Sequence, residues 1–168
     1  MKKITVVCSL ALLIAVIAPL WAVVSTNLGL MVAPVALVCA GLYVANGSIL
    51  GNAMKITLGF LAGNFWAWFV MLTLGALGGT MNFNVLFFLT LAVYIIVAVF
   101  IACYLDKIFD LAAWLSGWAV TLTLLGPLPP SEYTTMLLHI GIAMVGGVWF
   151  VGVLITQLHG KLLGKLSK

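Results

Sequence analysis

The chain has 168 residues, of which 65% are hydrophobic and only 6% are charged, and its formal net charge is +4. A soluble domain carries about 25% charged residues, so a water-soluble globule is excluded because the chain could not cover its surface with polar groups. A disordered chain is excluded on the same ground, and seven scattered lysines form no basic stripe for nucleic acid. The sequence therefore predicts an all-α, polytopic membrane protein.

Six apolar segments approach the length of about 20 residues that a membrane-spanning helix needs. In chain order they are Ile4 to Val24, Leu28 to Ala45, Ile56 to Leu77, Phe83 to Leu105, Ile108 to Gly126 and Thr134 to Ile155. Short loops join them, so we expect one six-helix transmembrane domain over residues 1–156. The remaining residues, 157–168, alternate leucine with lysine and predict a basic cytoplasmic tail on the inner leaflet.

The placement of the lysines predicts the orientation of the helices, because cytoplasmic loops are enriched in positive charge. With six spans, every lysine falls on the face that carries both termini: Lys2, Lys3, Lys55, Lys107, Lys161, Lys165 and Lys168. We therefore expect a multi-pass protein of the bacterial inner membrane with both termini in the cytoplasm. The first span is longer than a signal peptide's apolar core and lacks a clear cleavage site, so we expect it to be retained.

Acidic residues near helix ends predict how two helices begin. Asp106 is expected to cap the fifth helix, with Asp110 near its positive end, and Ser131 with Glu132 is expected to open the sixth. In the predicted topology, Asp106 and Asp110 lie at the cytoplasmic mouth of the protein.

The helix starts recur about every 50 residues, which suggests three two-helix hairpin repeats. Small residues four apart indicate close helix packing. Such pairs are Gly59 with Gly63, Ala112 with Ser116, Ala113 with Gly117, and Ala143 with Gly147. They fit packing within one chain, and they also fit contact with a neighbouring subunit.

Polar and aromatic side chains at mid-membrane depth are the candidate functional residues. Tryptophan usually gathers at membrane interfaces, yet several tryptophans lie in the middle of the predicted spans. The candidate pore-lining residues are Asn64, Trp66, Trp114, Trp118, Trp149 and His139. A narrow collar of indole rings would admit a small solute and exclude hydrated ions. The alternatives are packed or lipid-facing tryptophans, an asparagine that bridges helices, and a neutral histidine bonded to a neighbouring helix.

Enzymatic chemistry has no support in the sequence. Cys8, Cys39 and Cys103 lie apart within apolar runs, and no cluster has metal-ligand spacing. Motifs for a nucleophilic triad, a metalloprotease or a phosphate loop are absent. We therefore expect a protein that is not an enzyme and that holds neither a cofactor nor a metal.

The whole chain resembles a family of small bacterial inner-membrane proteins of unknown function, the YcdZ-like proteins (domain of unknown function 1097). The resemblance lies in the size, the six spans and glycine-rich stretches such as YVANGSILGNAMKITLGFLAG over residues 43–63. A weaker, architectural resemblance is to urea and amide channels and acetate-type transporters, which are six-helix proteins that form hexameric rings. The run NLGLM over residues 27–31 is similar to part of an acetate-family motif whose proline-containing half is missing here.

Three functions follow from these features. The first is a channel or facilitator for a small polar solute that is neutral or weakly charged, of the size of urea, an amide, a short acid or a polyol. The second is a non-transport membrane protein that binds or stabilises a partner complex, and the third is a coupled transporter. Because no carboxylate lies at mid-membrane depth, passive passage is favoured over coupling. We also expect a homo-oligomer, with a hexamer suggested by the architectural resemblance.

Overall fold

The computed structural model describes residues 3–166, which form helices joined by turns and contain no strand. The helices are α1 (Lys3–Asn27), α2 (Val35–Ala45), α3 (Leu50–Leu77), α4 (Phe83–Tyr104), α5 (Leu111–Leu125), α6 (Tyr133–Gly146) and α7 (Leu154–Leu166). A 3-10 turn at Pro130–Glu132 precedes α6, and a π-helical segment, Gly147–Val153, joins α6 to α7. Lys2 and Lys168, two of the lysines used to predict orientation, lie outside the described residues.

Six helical stretches are present, as the sequence predicts, because α6, the π-helical segment and α7 run on as one. Four of the six are long and apolar enough to cross a membrane: Val6–Asn27, Leu50–Leu77, Phe83–Tyr104 and Pro130–Gly164. The other two, α2 and α5, have 11 and 15 residues. At about 1.5 Å per residue, α2 covers about half of a 30 Å hydrocarbon core.

The second predicted span, Leu28 to Ala45, is helical only in its last 11 residues. Gly29 has φ +74°, a conformation that favours glycine, and it follows the C-terminus of α1. The Leu30 N–H donates to the Ser25 carbonyl and the Gly29 N–H to the Thr26 carbonyl, which is the hydrogen-bond pattern of a glycine-capped helix end. Turns then continue to Pro34, so the apolar run from residue 28 to 34 is not helix.

The described residues divide into two compact units. Unit 1 comprises residues 1–54 and 142–168, and unit 2 comprises residues 55–141. Helix lengths follow the order long, short, long in α1, α2 and α3. The same order recurs in α4, α5 and the continuous run from α6 to α7. Unit 1 holds α1, α2 and the end of that run, whereas unit 2 holds most of α3 with α4 and α5. The units do not coincide with three two-helix hairpins, so the hairpin repeat stays a prediction.

Unit 1 is built around an apolar cluster from α1, α2 and the region around α7. Its buried members are Ile17, Trp21, Leu30, Ala36, Ala40, Val151 and Ile155. The backbone of the π-helical segment lies directly against α2: a Cβ at Gly147 would overlap Ala36, and one at Gly152 would come 2.9 Å from the Tyr43 ring. The wider π turn puts two glycines five residues apart on the same face.

Unit 2 is built on a backbone contact between α3 and α5. A Cβ at Gly59 would come 2.6 Å from the Asp110 carbonyl oxygen, and one at Gly117 would come 2.6 Å from the Phe60 carbonyl oxygen. A Cβ at Gly63 would overlap the Trp114 carbonyl. Gly59 with Gly63 on α3 therefore packs against Ala113 with Gly117 on α5, so these small residues serve packing within the chain. The homo-oligomer stays a prediction.

The predicted tail continues the last helix, because α7 runs through Gln157 to Leu166. His159 on α7 lies near the start of α1, with its Nε2 atom 3.1 Å from the Ser9 hydroxyl oxygen and 3.2 Å from the Val6 carbonyl oxygen. Leu154 and Leu158 pack against the cluster of unit 1. The tail's position on the inner leaflet stays a prediction.

Candidate functional site

Unit 2 contains four of the six candidate pore-lining residues on α3 and α5. Asn64 and Trp66 lie on α3, and Trp114 and Trp118 lie one turn apart on α5. The glycine contact between the two helices brings their backbones together next to these side chains. A Cβ atom at Gly63 would overlap the Trp114 carbonyl and would come 2.6 Å from the Trp118 backbone nitrogen. Close packing of α3 on α5 thus sets the position of the candidate site.

Asn64 is a buried bridge between three helices. Its Nδ2 atom donates to the Leu137 carbonyl on α6 at 3.0 Å, and its Oδ1 atom accepts from the Thr121 hydroxyl on α5 at 2.9 Å. Thr121 is fully buried and Asn64 is nearly so. Of the two alternatives for Asn64, the structure shows the helix bridge. Its amide is engaged within the protein.

Trp66 joins α3 to α4. Its indole N–H donates to the Tyr94 carbonyl oxygen at 3.1 Å, and its ring meets the Trp114 ring edge-on with centroids 5.6 Å apart. The Tyr94 hydroxyl in turn pairs with the Thr73 hydroxyl at 2.8 Å. Edge-to-face aromatic contacts of this kind stabilise a packed core by about 0.5–1.5 kcal/mol each.

Trp114 and Trp118 are buried, and their polar atoms lack partners. Each side chain is only 4% exposed, and neither indole N–H has a hydrogen-bond acceptor. Trp114 packs with Ala98 and Ala102 of α4, and Trp118 packs with Ala67 and Val70 of α3. A buried donor without an acceptor costs about 1–3 kcal/mol. Two such donors on one helix face are unusual in a packed interior.

The N-terminus of α5 fixes the Trp114 ring. Asp110, not Asp106, caps this helix: its carboxylate accepts from the Ala113 N–H at 2.8 Å. The prediction for Asp106 is wrong because α5 begins at Leu111, and the residues from 105 to 108 form a turn instead of a first helical turn. Phe109 packs edge-on against Trp114 with centroids 5.1 Å apart, a hydrophobic staple across the cap. Asp106 is exposed.

Two candidate residues lie apart from this group. His139 is on α6 in unit 2 and is half-buried, and its ring has no hydrogen bond among residues 3–166. Trp149 belongs to unit 1, where it lies in the π-helical segment and is 36% exposed. The roles predicted for both in lining a pore stay predictions.

An apolar cleft opens at the end of unit 2 where α3 ends and α4 begins. It has a volume of about 750 Å³. Its lining comes from the end of α3, the first turns of α4, the end of α5 and the start of α6: Met71, Leu72, Leu74, Gly75, Ala76, Phe83, Phe87, Leu122, Gly126, Pro130 and Tyr133. Leu74 and Leu122 therefore belong both to the lining of the cleft and to the cluster around Trp118.

Two features of the interior were missed by the sequence analysis. Thr121, the partner of Asn64, has the ordinary sequence context of a threonine in an apolar helix, which gave no signal. Trp21 is only 8% exposed, packs in the core of unit 1 and has an unpaired indole N–H. A close contact with Gly146 explains its burial. No group of three metal-ligating side chains was found among the described residues.

The comparison with protein families identifies the chain. A family model described as a protein of unknown function, DUF1097, matches residues 11–160. The chain belongs to this family. No curated protein and no solved structure matches the chain. The resemblance to urea and amide channels and acetate-type transporters is therefore not shown. Membership of DUF1097 assigns no activity to the chain, because the family is described as one of unknown function.

Proposed function

We propose that this DUF1097 protein is a facilitator for a small polar solute in the bacterial inner membrane, with both termini in the cytoplasm. The observation that carries the proposal is the pair of unpaired indole N–H groups of Trp114 and Trp118, each in a side chain that is 4% exposed. An interior that served packing alone would do better with phenylalanine, which buries a ring without an unpaired donor. Donors kept free in an apolar interior are suited to a passing acceptor.

The cleft at one end of unit 2 supports a route to these donors. In the predicted topology this end faces away from the cytoplasm. Leu74 and Leu122 line the cleft and pack against the cluster around Trp118, and rotamer changes of these two leucines would open the cleft toward the indoles. An apolar constriction of this kind passes small solutes and rejects hydrated ions, which hold their water tightly.

The acidic residues of the chain favour passive passage over coupled transport. Proton- and cation-coupled carriers use carboxylates buried at mid-membrane depth. Here Asp106 and Glu132 are exposed, and Asp110 is half-buried at a helix cap. A coupling carboxylate is therefore lacking from the interior that the structure describes.

Solute flux in proteoliposomes tests the proposal. Purified protein in vesicles is compared with protein-free vesicles for urea, acetamide, glycerol and short acids. Trp118→Ala should raise flux and broaden selectivity because removing one indole ring widens the collar of indole rings. Val93→Ala, at an exposed position on α4, is the matched control and should leave flux unchanged. Protein-dependent flux for no solute at all would contradict the proposal.

A second candidate is a membrane protein that binds a partner complex without transport. The observation that favours it is the apolar lining of the cleft, into which a partner's side chain or helix could pack. The two candidates differ in one respect that the flux experiment measures. A partner-binding protein would give no solute flux in vesicles. Leu122→Trp, which fills the cleft, would then weaken assembly with the partner and would not change flux.

A further inference from the structure

The unpaired buried polar atoms of unit 2 are all donors. Among the described side chains, the buried atoms without a partner in this unit are the Nε1 atoms of Trp114 and Trp118. The buried acceptor on Asn64 is taken by Thr121, and the N–H groups of Asn64 and Trp66 already donate to backbone carbonyls. The buried side-chain groups that still lack a partner here are therefore hydrogen-bond donors, which the acceptors of a ligand would pair.

A site whose unpaired groups are donors discriminates between solutes by their own hydrogen-bonding groups. Urea, amides and polyols bring N–H or O–H groups that would lose their water and meet no unpaired buried acceptor among the described side chains of unit 2, and a donor left without an acceptor costs about 1–3 kcal/mol. A carboxylate or an inorganic oxyanion brings acceptors alone. Hydrogen bonds to an ionised acceptor are roughly twice as strong as neutral ones. The site therefore fits oxyanions better than donor-bearing solutes.

Oxyanions and neutral acceptors differ in what it costs them to cross the hydrocarbon core of a membrane. A small neutral molecule that carries only acceptors enters hydrocarbon at little cost, whereas an ion does so at a very large cost. Only the ion needs a protein path. The chain carries seven lysines and three acids, and such a balance attracts anions to its surface. A monovalent ion is the cheapest to strip of water, and the two indole donors would replace part of the hydration shell that it must shed to enter a constriction closed to hydrated ions.

We propose that Trp114 and Trp118 form a binding site for a small monovalent oxyanion, such as nitrate or a short monocarboxylate. Two of its oxygens would accept from the two indole N–H groups, whose tryptophans lie one turn apart on α5. The inference rests on the facilitator function proposed above and names the class of its solute. Asn64 and Trp66 hold the surrounding helices and make no hydrogen bond to the ion.

Nuclear magnetic resonance of the six tryptophan indole N–H groups tests the site directly. Full-length protein labelled with ¹⁵N-tryptophan in detergent is titrated with sodium nitrate, and the signals are assigned by Trp→Phe variants. The Trp114 and Trp118 signals should move downfield and saturate, while the Trp66 signal should stay. Urea and glycerol should cause no such movement, and sodium chloride at equal ionic strength should cause a smaller one. Signals that stay in place, or that move equally with urea or chloride, would overturn the inference.

Conservative variants provide the second measurement. Trp114→Phe and Trp118→Phe keep a ring in place and remove one N–H, so nitrate affinity should fall at least about tenfold in each. Trp21→Phe removes an unpaired buried N–H in unit 1 and should leave nitrate affinity unchanged, which makes it the matched control. Equal affinities in all three variants would overturn the inference.

Flux measurements separate this inference from the proposed function. Nitrate is fully ionised and crosses bare vesicles slowly, and potassium with valinomycin supplies the compensating charge. Nitrate binding without protein-dependent flux of any solute would leave the site standing and contradict the facilitator. Flux of urea or glycerol without any response of the two indoles to nitrate would leave the facilitator standing and contradict the oxyanion site.

Discussion

The two units use glycine in the same way but differ in the polar groups that they bury. In unit 2, Gly59 and Gly63 bring α3 against α5 at the four-residue spacing of an α-helix, whereas in unit 1 Gly147 and Gly152 meet α2 at a five-residue spacing in a π-helical segment. Unit 2 buries the Asn64–Thr121 hydrogen bond and two unpaired indole N–H groups, whereas unit 1 buries one, that of Trp21.

This difference in buried polar groups indicates that the two units have different roles. Backbone contact through glycine holds the helices together in both units, so it says nothing about where a ligand binds. A pair of unpaired donors on one helix face occurs only in unit 2 among the described residues. We therefore place the site in unit 2 and assign the core of unit 1 to packing. The predictions below test that comparison, beginning with the largest effect.

The α3–α5 contact of unit 2 should be the most sensitive to an added side chain. Gly63→Ala places a methyl group on the Trp114 carbonyl, and because backbone cannot move aside, the free energy of unfolding should fall by about 3 kcal/mol or more. Denaturant titration in detergent measures it. Gly75→Ala on the same helix meets no atom within 4 Å and should be neutral or slightly stabilising. Equal stability of the two variants would show that the helices are not in backbone contact.

The π-helical contact of unit 1 should come next. Gly147→Ala puts a methyl group against the Ala36 backbone and 2.8 Å from the Cys39 Cβ atom, so we expect a loss of about 1–3 kcal/mol of unfolding free energy. Gly152→Ala comes closest to the Tyr43 ring, at 2.9 Å, and reaches the Gly147 carbonyl oxygen only at an ordinary contact distance of 3.4 Å, so it should cost less because a side chain can shift. Gly160→Ala, with open space around it, is the control. A larger loss for Gly152→Ala than for Gly147→Ala would contradict the account of unit 1.

The Asn64 bridge should affect stability more than solute selection. Asn64→Leu leaves the Leu137 carbonyl and the Thr121 hydroxyl without their partner, at a cost of about 2 kcal/mol, and Thr121→Val should cost about 1 kcal/mol. A double-mutant cycle measures their coupling, which should be close to the value of one hydrogen bond, about 1 kcal/mol. Additive effects would mean that the two side chains do not interact. Changed nitrate affinity in correctly folded Thr121→Val would instead put this bridge within the binding site.

The smallest effect concerns the start of α5. Asp110→Ala removes the helix cap and should lower the unfolding free energy by about 1 kcal/mol. Asp106→Ala changes an exposed turn residue and should have an effect within about 0.5 kcal/mol. Thermal unfolding of the two variants side by side is the measurement. The opposite order would restore Asp106 as the cap and move the start of α5 back toward Ile108.

Hydropathy was enough to predict the membrane class and the helical stretches, because the length of an apolar run is a direct consequence of bilayer thickness. It could not predict that α2 starts only at Val35. The run from Leu28 to Pro34 is apolar, but Gly29 takes a left-handed backbone conformation and turns follow it. Hydropathy depends on side chains and carries no information about backbone conformation. For the same reason it could not predict the π-helical segment at Gly147–Val153.

At the candidate site, the sequence indicated residues that the structure brings together in unit 2, but not the partners of their polar groups. Asn64 and the tryptophans stand out because polar and indole groups are rare at mid-membrane depth. Whether each has a partner depends on contacts between distant segments, such as Asn64 with Leu137, 73 residues apart. Trp66 is paired while Trp114 and Trp118 are not, and composition and spacing give no sign of this difference.

Thiol accessibility at Leu122 tests most directly whether solutes reach the tryptophans of unit 2. Leu122→Cys is made with the three native cysteines replaced by alanine, reconstituted in vesicles and treated with a membrane-impermeant methanethiosulfonate reagent. The account predicts that the new thiol reacts and that flux is then blocked. Val93→Cys, exposed on α4 and expected to face lipid, should neither react nor lose flux. An unreactive Leu122→Cys protein with normal flux would contradict a path through unit 2.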